Sequence, residues 1–302
     1  MSGLKTIRRR ITSVSNTKQI TRAMKLVSAA KLRRAQDAAL GGRSFSERLG
    51  EIASSVKRDL PEDFSHPLMQ RREVVKRRRV IVVSGERGLC GAYNSNMSKA
   101  VLARDVAVAS TEKIALEFVP LGRRSVAFVN FQALEMVSDY GGLPEEAALW
   151  PISEVCDDAI KAFSLGRCDE VVLYYTKFIS TMTQEVIREV LLPFGEDADE
   201  AVIDSSPDVS DRDEQASGAA QYEPSAEEIF DKLLPLLIKT RVTQGGLESK
   251  ASEHAARMTA MDSATRNANE LIDTLRLFYN RARQSAITTE LIDIVGGAEA
   301  QQ

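Results

Sequence analysis

Cysteine, histidine and tryptophan are scarce in this chain, at three, two and one among 302 residues. Cys90, Cys156 and Cys168 form no Cys-x-x-Cys pair and make no metal-like cluster with His66 and His254. That pattern excludes a zinc framework and a disulfide scaffold and fits a reducing compartment. With only these two histidines, neither at the end of a candidate strand, no Ser-His-Asp arrangement is favoured, and the thiols read as small buried hydrophobes. Long apolar runs are missing as well. No stretch reaches the length of a membrane span, and the start MSGLKTIRRR lacks the apolar core of a signal peptide, so the sequence reads as soluble and not secreted. Aromatic residues make up 6%, the first being Phe45. The basic N-terminal segment therefore lacks the stacking platforms of a nucleic-acid binder.

Glycine and proline are absent from Ala251 to Val295. Apolar residues recur there at three and four, through Met258, Met261, Ala264, Ala268, Leu271, Leu275, Phe278 and Ala282, which predicts one long amphipathic helix. The other end of the chain has the same character, with Leu4, Ile7, Ile11, Val14, Ile20, Met24 and Val27. Two such helices flanking a different kind of domain can bury their stripes by pairing antiparallel as a coiled coil. A helix over most of Ser225–Val295 would be on the order of 100 Å long, against about 30 Å for a small domain, so part of it must protrude. Pro224-Ser225 reads as its start, Pro235 predicts a kink, and Gly245–Gly246 is a second weak spot. Gly41–Gly42 is a weak spot in the N-terminal helix, which the Pro61 region ends.

The net charge of -3 hides an asymmetry. Residues 1–60 hold 14 Lys and Arg against 4 acids, and residues 196–228 hold 12 acids and only Arg212 as a base. The first is a solvated or partner-facing helix face. The second, from Glu196 to Glu223, reads as a flexible acidic loop.

Between the helices the pattern alternates. The charged lead RREVVKRRR runs into the apolar Val80–Val83, then SGERGLCGAYN and a helix, which reads strand, glycine turn, helix. A strand at Ile114–Val119, a helix over Asn130–Tyr140, a helix around Ile152–Ser164, a strand at Glu170–Tyr175 and a β-rich run at Thr183–Leu192 follow. Such alternation predicts a small α/β domain with a mainly parallel sheet. Gly85, Gly88 and Gly91 invite a phosphate-loop reading, because bare amides at a helix start attract anions. The spacing is neither GxGxxG nor GxxxxGK[ST], and a tight turn is the plainer account. Two other classes stand beside a helical interaction protein: an enzyme with a nucleotide-binding α/β domain, and a coiled-coil nucleic-acid binder with steeply salt-dependent affinity.

Three stretches carry a resemblance: LKTIRRRITSVSNTKQITRAMKLVSAAKLRRAQ, the central SGERGLCGAYN, and ASEHAARMTAMDSATRNANELIDTLRLFYNRARQSAITTELIDIVGGA. Together they closely resemble the gamma-subunit family of F-type ATP synthases, over essentially the whole chain and in the correct order. The resemblance implies a rotary central stalk. Its N-terminal shaft helix would be 1–60, a Rossmann-like α/β domain 74–195, the acidic loop 196–224 and the C-terminal shaft helix 225–302. It implies no catalytic, cofactor or metal residues. The expected partners are a hexamer of alpha and beta subunits in a 3:3:1 complex, an epsilon subunit and the membrane c-ring, with no nucleic acid. Membrane association would come only through the complex, on the cytoplasmic face of a bacterial inner membrane, and the start of the chain shows no transit peptide. Matching motif positions assign hexamer contacts to Met24, Arg257, Arg283, Gln284, Thr288 and Glu290, and an apolar tip to Ile287, Leu291, Ile294 and Val295. No paired-cysteine segment like the redox switch of chloroplast relatives is present, so thiol regulation is not expected.

Overall fold

A computed structural model describes residues 2–61, 64–195, 223 and 225–299, with the side chains of residues 2, 3, 290 and 293–299 outside that description. The expected acidic loop lies outside the described residues. Two compact units emerge: the two chain ends, Met1–Ala30 with Arg257–Gln302, and the intervening Lys31–Ala256. Helix α1 (Ser2–Arg58) and the last helix, α6 (Ala226–Glu299), each contribute to both units.

The intervening unit is built on a four-stranded sheet in the order β2-β1-β3-β4. Strand β1 (Arg77–Val83) pairs in parallel with β2 (Ala115–Leu121) and β3 (Glu170–Phe178), and β4 (Gln184–Leu192) closes one edge antiparallel to β3. Alternation along β1 sorts the core into two layers. Val80 and Val82 join Phe118, Val172 and Tyr174 against α2 (Tyr93–Val101) and α4 (Arg123–Phe131). Ile81 and Val83 join Val119, Leu121, Val171 and Leu173 against α5 (Ile152–Ser164), with Leu49, Ala53 and Val56 of α1 and Phe230, Leu234 and Ile238 of α6. A widened turn, Leu102–Val106, follows α2 and leads into α3 (Ala107–Glu112).

The charged lead RREVVKRRR is shorter than expected, since its last three residues are strand. Arg77, Arg78 and Arg79 are the first residues of β1, and Arg78 and Arg79 are buried. Each is matched by acids: Arg78 meets Asp105 at 2.6 Å and Glu170, and Arg79 meets Glu117 at 2.9 Å and Asp158 at 2.6 Å. The expected helix over Asn130–Tyr140 also falls elsewhere. Helix α4 ends at Phe131, and the segment after it lies along the free edge of β2, with Phe118 N donating to Glu135 O at 2.8 Å and Val137 N to Phe118 O at 2.9 Å. Backbone pairing to an exposed sheet edge outweighed the helical spacing of its apolar residues.

The weak spots expected in the long helices do not break them. Helix α1 runs through Gly41–Gly42, and α6 runs through Pro235 and Gly245–Gly246. Helix α6 begins as expected, with Glu228 N donating to Ser225 Oγ at 3.2 Å as an N-cap. Around Pro235, burial of Phe230, Leu234, Leu237 and Ile238 outweighs the roughly 3 kcal/mol that an interior proline costs.

In the terminal unit α1 and α6 pair antiparallel: Thr21 meets Thr265 at 2.8 Å, and Lys25 meets Asp262 at 2.5 Å. The covered faces follow strict heptads, Leu4, Ile7, Ile11, Val14, Lys18, Thr21, Lys25 and Ser28 on α1, and Met261, Thr265, Ala268, Ile272, Leu275, Tyr279, Ala282 and Ala286 on α6. A sustained 3-4 repeat of this kind defines a coiled-coil seam.

Candidate functional site

In an open α/β sheet a ligand crevice forms beyond the carboxyl ends of the strands where the strand order reverses. Here that point lies between β1 and β3. The chain's own α6 fills it: Ser249 Oγ accepts from Thr176 N at 3.0 Å, Ser252 Oγ donates to Thr176 O at 3.0 Å, and Tyr93 Oη donates to Ser249 O at 3.1 Å. Burial, with the nearby charge of Glu253, raises the Tyr93 phenol far above its ordinary range, so it stays a neutral donor.

The glycine turn after β1 is occupied too. Glu86 accepts from Arg123 N at 3.3 Å, Gly142 N at 3.1 Å and Leu143 N at 2.9 Å. Its carboxylate takes the amides at the start of α4 and in the loop at 142–143, while the turn's own Gly85 N donates to Asn94 Oδ1 at 3.0 Å. Gly122, just before α4, has φ of +107° and would bring a Cβ to 2.5 Å from Ser84 O, so only glycine lets β1 and β2 end this close together. We therefore expect ATP or ADP titrated into the isolated chain to give no saturable calorimetric signal at millimolar nucleotide. Tight binding that Glu86→Ala strengthens would restore the enzyme reading.

Around the filled crevice, charge is paired. Lys250 Nζ lies 3.2 Å from Glu253 and 5.8 Å from the Trp150 ring centre, and Glu145 reaches His254 at 2.9 Å and Lys31 at 3.1 Å. Burial works to raise the Glu145 pKa, but Lys250, Lys31 and His254 outweigh it and hold the carboxylate below its usual range. The thiols are inert by environment: burial pushes Cys156 up to about 12 and Cys168 up to about 11. Cys90 is buried as well, and the described residues contain no cluster able to hold a metal ion.

The terminal unit presents a different kind of surface. Its seam is polar over the second half of its α1 side, at Lys18, Thr21, Lys25 and Ser28, while Ile20, Leu26 and Val27 of α1 and Leu271, Leu277 and Phe278 of α6 stand exposed. This corrects the sequence reading, which put Ile20, Val27, Leu271 and Phe278 in the seam. The heptad phase instead brings Thr21, Ser28, Ile272 and Tyr279 inward. Apolar surface turned out in this way marks a contact surface for another macromolecule.

The residues assigned by motif fall on this surface unevenly. Arg283, Gln284, Ile287, Thr288 and Leu291 are exposed, Met24 is half-buried and Arg257 is buried. The side chains of Glu290, Ile294 and Val295 lie outside the described residues. The exposed apolar Ile20, Leu26, Leu277 and Ile292 were missed, and the signal that finds them is the heptad phase set by Leu4, Ile7, Ile11 and Val14.

What the geometry defines is an α/β protein whose crevice beyond β1 and β3 is closed by its own C-terminal helix and whose paired chain ends turn apolar residues outward. The sequence pattern of the ATP synthase family matches residues 3–301. An ATP synthase gamma chain from Geotalea daltonii is 41% identical over 301 residues, covering 99% of both chains, and one from a Cyanothece species is 39% identical over 315 residues with the same coverage. The fold matches a chain in the Euglena gracilis mitochondrial ATP synthase, in an assembly of OSCP, F1 and c-ring, with a TM-score of 0.61, 17% identity and coverage of 99% of this chain and 95% of that one. It also matches a chain of the Tetrahymena thermophila central stalk and c-ring, with a TM-score of 0.54, 21% identity and coverage of 81% and 99%. The chain belongs to the gamma-chain family of ATP synthases.

Proposed function

We propose that this chain is the rotary central stalk of an F-type ATP synthase, coupling proton-driven rotation to ATP synthesis and hydrolysis in a surrounding hexamer of alpha and beta subunits. The observation that carries the reading is the inverted terminal coil, polar along part of its seam and apolar outside. Apolar residues exposed in this way favour a partner that covers them, and an apolar sleeve in the hexamer would do so. In this reading catalysis belongs to the partners, which the filling of the crevice between β1 and β3 by α6 supports.

The mechanism is differential contact. A two-helix coil shows a different face in every direction, so three identical catalytic subunits around it each meet a different surface. Turning the coil shifts each in sequence among states of different nucleotide affinity, by no more than the difference in contact energy between those states. In this reading Met24, Arg257, Arg283, Gln284, Thr288 and Glu290 meet the hexamer loops, and Ile287, Leu291 and Ile294 form the greasy tip. Guanidinium and amide groups suit loops that must bind and release, because their hydrogen bonds are directional and can be broken one at a time. The complex would be three alpha, three beta and one of this chain, with an epsilon subunit and the c-ring as further partners, peripheral to the cytoplasmic face of a bacterial inner membrane. None of the described helices is long and apolar enough to cross a membrane.

Co-reconstitution with alpha and beta subunits of the same source tests this. The expected result is a 3:3:1 particle on size exclusion whose ATP hydrolysis depends on the chain. Deleting Thr288–Gln302 should leave the particle intact and lower hydrolysis several-fold. Competent alpha and beta subunits that assemble no better with the chain than without it would overturn the assignment.

A further inference from the structure

We infer that Arg43 and Glu248 form a rotational key, a positioning pair that fixes both long helices to the sheet so that torque passes between the α/β unit and the chain ends; the inference rests on the rotor reading above. Glu248 is buried on α6 and its carboxylate is fully engaged. One oxygen accepts from Arg43 Nε at 2.5 Å and Gln244 Nε2 at 2.9 Å. The other accepts from Arg43 Nη2 at 2.9 Å and from the backbone N of Phe178 at 2.9 Å. Arg43, on α1, also donates from Nη2 to Phe178 O at 2.9 Å. Phe178 ends β3. Its two backbone groups are thus held by one residue from each helix, and three elements meet at one bidentate ion pair.

The apolar contacts at this level cannot supply the same constraint. Hydrophobic burial is non-directional, so only interdigitated side chains stop one helix from turning against its support. Where the two helices meet, Gly42 of α1 leaves room for Gln244 and Leu247 of α6, since an added Cβ would come within 2.9 Å of Leu247 and closer still to Gln244, while Gly245 and Gly246 turn toward β3 and Trp150. A Cβ on Gly245 would lie 3.1 Å from Leu173 and one on Gly246 3.0 Å from Trp150. The helix therefore lies close against β3 and Trp150 through glycines rather than long side chains of its own. Directional bonds add a fixed angle to that packing, and the Arg43–Glu248–Phe178 cluster ties both helices to one strand. Ser249 and Ser252 add bonds from α6 alone. Hydrophobic packing holds the helices down, and the key fixes their angle against β3.

The test separates work from mere assembly. In the complete synthase in vesicles, Glu248→Gln and, separately, Arg43→Lys are compared with wild type for hydrolysis by the detached hexamer complex, which turns without load, and for ATP-driven proton pumping against a gradient. Glu248→Gln, whose amide nitrogen cannot accept the two hydrogen bonds that one carboxylate oxygen accepts, is expected to leave unloaded hydrolysis within about twofold and to lower loaded pumping per ATP by roughly tenfold or more, the factor that one charge-assisted hydrogen bond alone is worth. Arg43→Lys, which keeps the charge and loses the fork, should fall between. Parallel loss of hydrolysis and pumping, unchanged pumping, or failure of both variants to assemble would each overturn the key, the last by making the cluster a folding element. A wild-type chain that does not support hydrolysis at all would instead overturn the rotor reading itself.

Discussion

Replacing Asp105 with alanine is expected to destabilise the α/β unit by about 3–5 kcal/mol, the usual cost of removing one member of a buried ion pair, and to lower its melting midpoint by roughly 10 °C. Asp105 is fully buried on the widened turn after α2. It accepts from Arg78 at 2.6 Å, from Arg188 at 3.2 and 3.3 Å, and from the Tyr174 hydroxyl. Glu170 also meets both arginines, but it is one charge facing two. Without Asp105 the network keeps two guanidinium groups on β1 and β4 with a single carboxylate between them, and the Tyr174 hydroxyl loses its acceptor. Burial works to raise the Asp105 pKa, and hydrogen bonds from Arg188 and Tyr174 with the charges of Arg188 and Arg78 outweigh it, so the folded value lies below the ordinary one. The sign follows. A lowered folded pKa contributes stability that is present above the unfolded carboxylate value, about 3.9, and is lost as pH falls from there through the folded value. Urea midpoints should therefore drop on acidification below about pH 4 in the wild type, and Asp105→Asn should flatten that limb while melting between wild type and alanine. Equal midpoints for wild type and Asp105→Ala at neutral pH would sink the argument.

The same network shows where sequence reading stops. Three successive arginines look like solvated lead-in because nothing local announces their acids, which lie at Asp105, Glu117, Asp158 and Glu170, up to 92 positions away. The strands themselves were legible. Val80–Val83 and Glu170–Tyr175 are apolar enough to be buried on both faces, and the helix at Ile152–Ser164 was found at its full length because its stripe faces an ordinary core. The C-terminal helix was legible because neither proline nor glycine interrupts Ala251–Val295, and the N-terminal one from the repeat begun by Leu4, Ile7, Ile11 and Val14. Their seam was not. Hydrophobicity assigns the inside of a coil to Ile20, Val27, Leu271 and Phe278, and that rule fails where a partner provides the inside. The heptad begun by Leu4, Ile7, Ile11 and Val14 continues unbroken through Lys18, Thr21, Lys25 and Ser28, so geometry overrode polarity, and the apolar residues left outside became the candidate contact surface. Such a conflict between local pattern and burial is expected at functional surfaces.

Gly245 and Gly246 were read as weak points in α6, and the structure gives them the opposite role. Exposed interior glycines cost a helix about 1 kcal/mol each relative to alanine. At Gly41 nothing lies within 4 Å of an added Cβ, so Gly41→Ala should recover about that amount. At Gly246 an added Cβ would stand 3.0 and 3.2 Å from the six-membered ring of Trp150. That ring cannot easily retreat: it is buried, its Nε1 donates to Pro144 O at 2.9 Å, and Lys250 lies over it. Alanine there should gain in helix propensity and lose in packing, ending near wild type. Leucine adds three more carbons with no space to enter. Gly246→Leu is expected to destabilise by about 3 kcal/mol, the upper end for overpacking a filled core. The lifted helix would also lose register at Ser249 and Ser252, which sit less than two turns further on and plug the crevice between β1 and β3. Urea midpoints for the three variants should therefore order as Gly41→Ala above wild type, Gly246→Ala beside it and Gly246→Leu well below. Gly246→Leu melting with the wild type would mean that α6 does not need to lie flat on the unit, and the close approach would then explain neither the glycine pair nor the filled crevice.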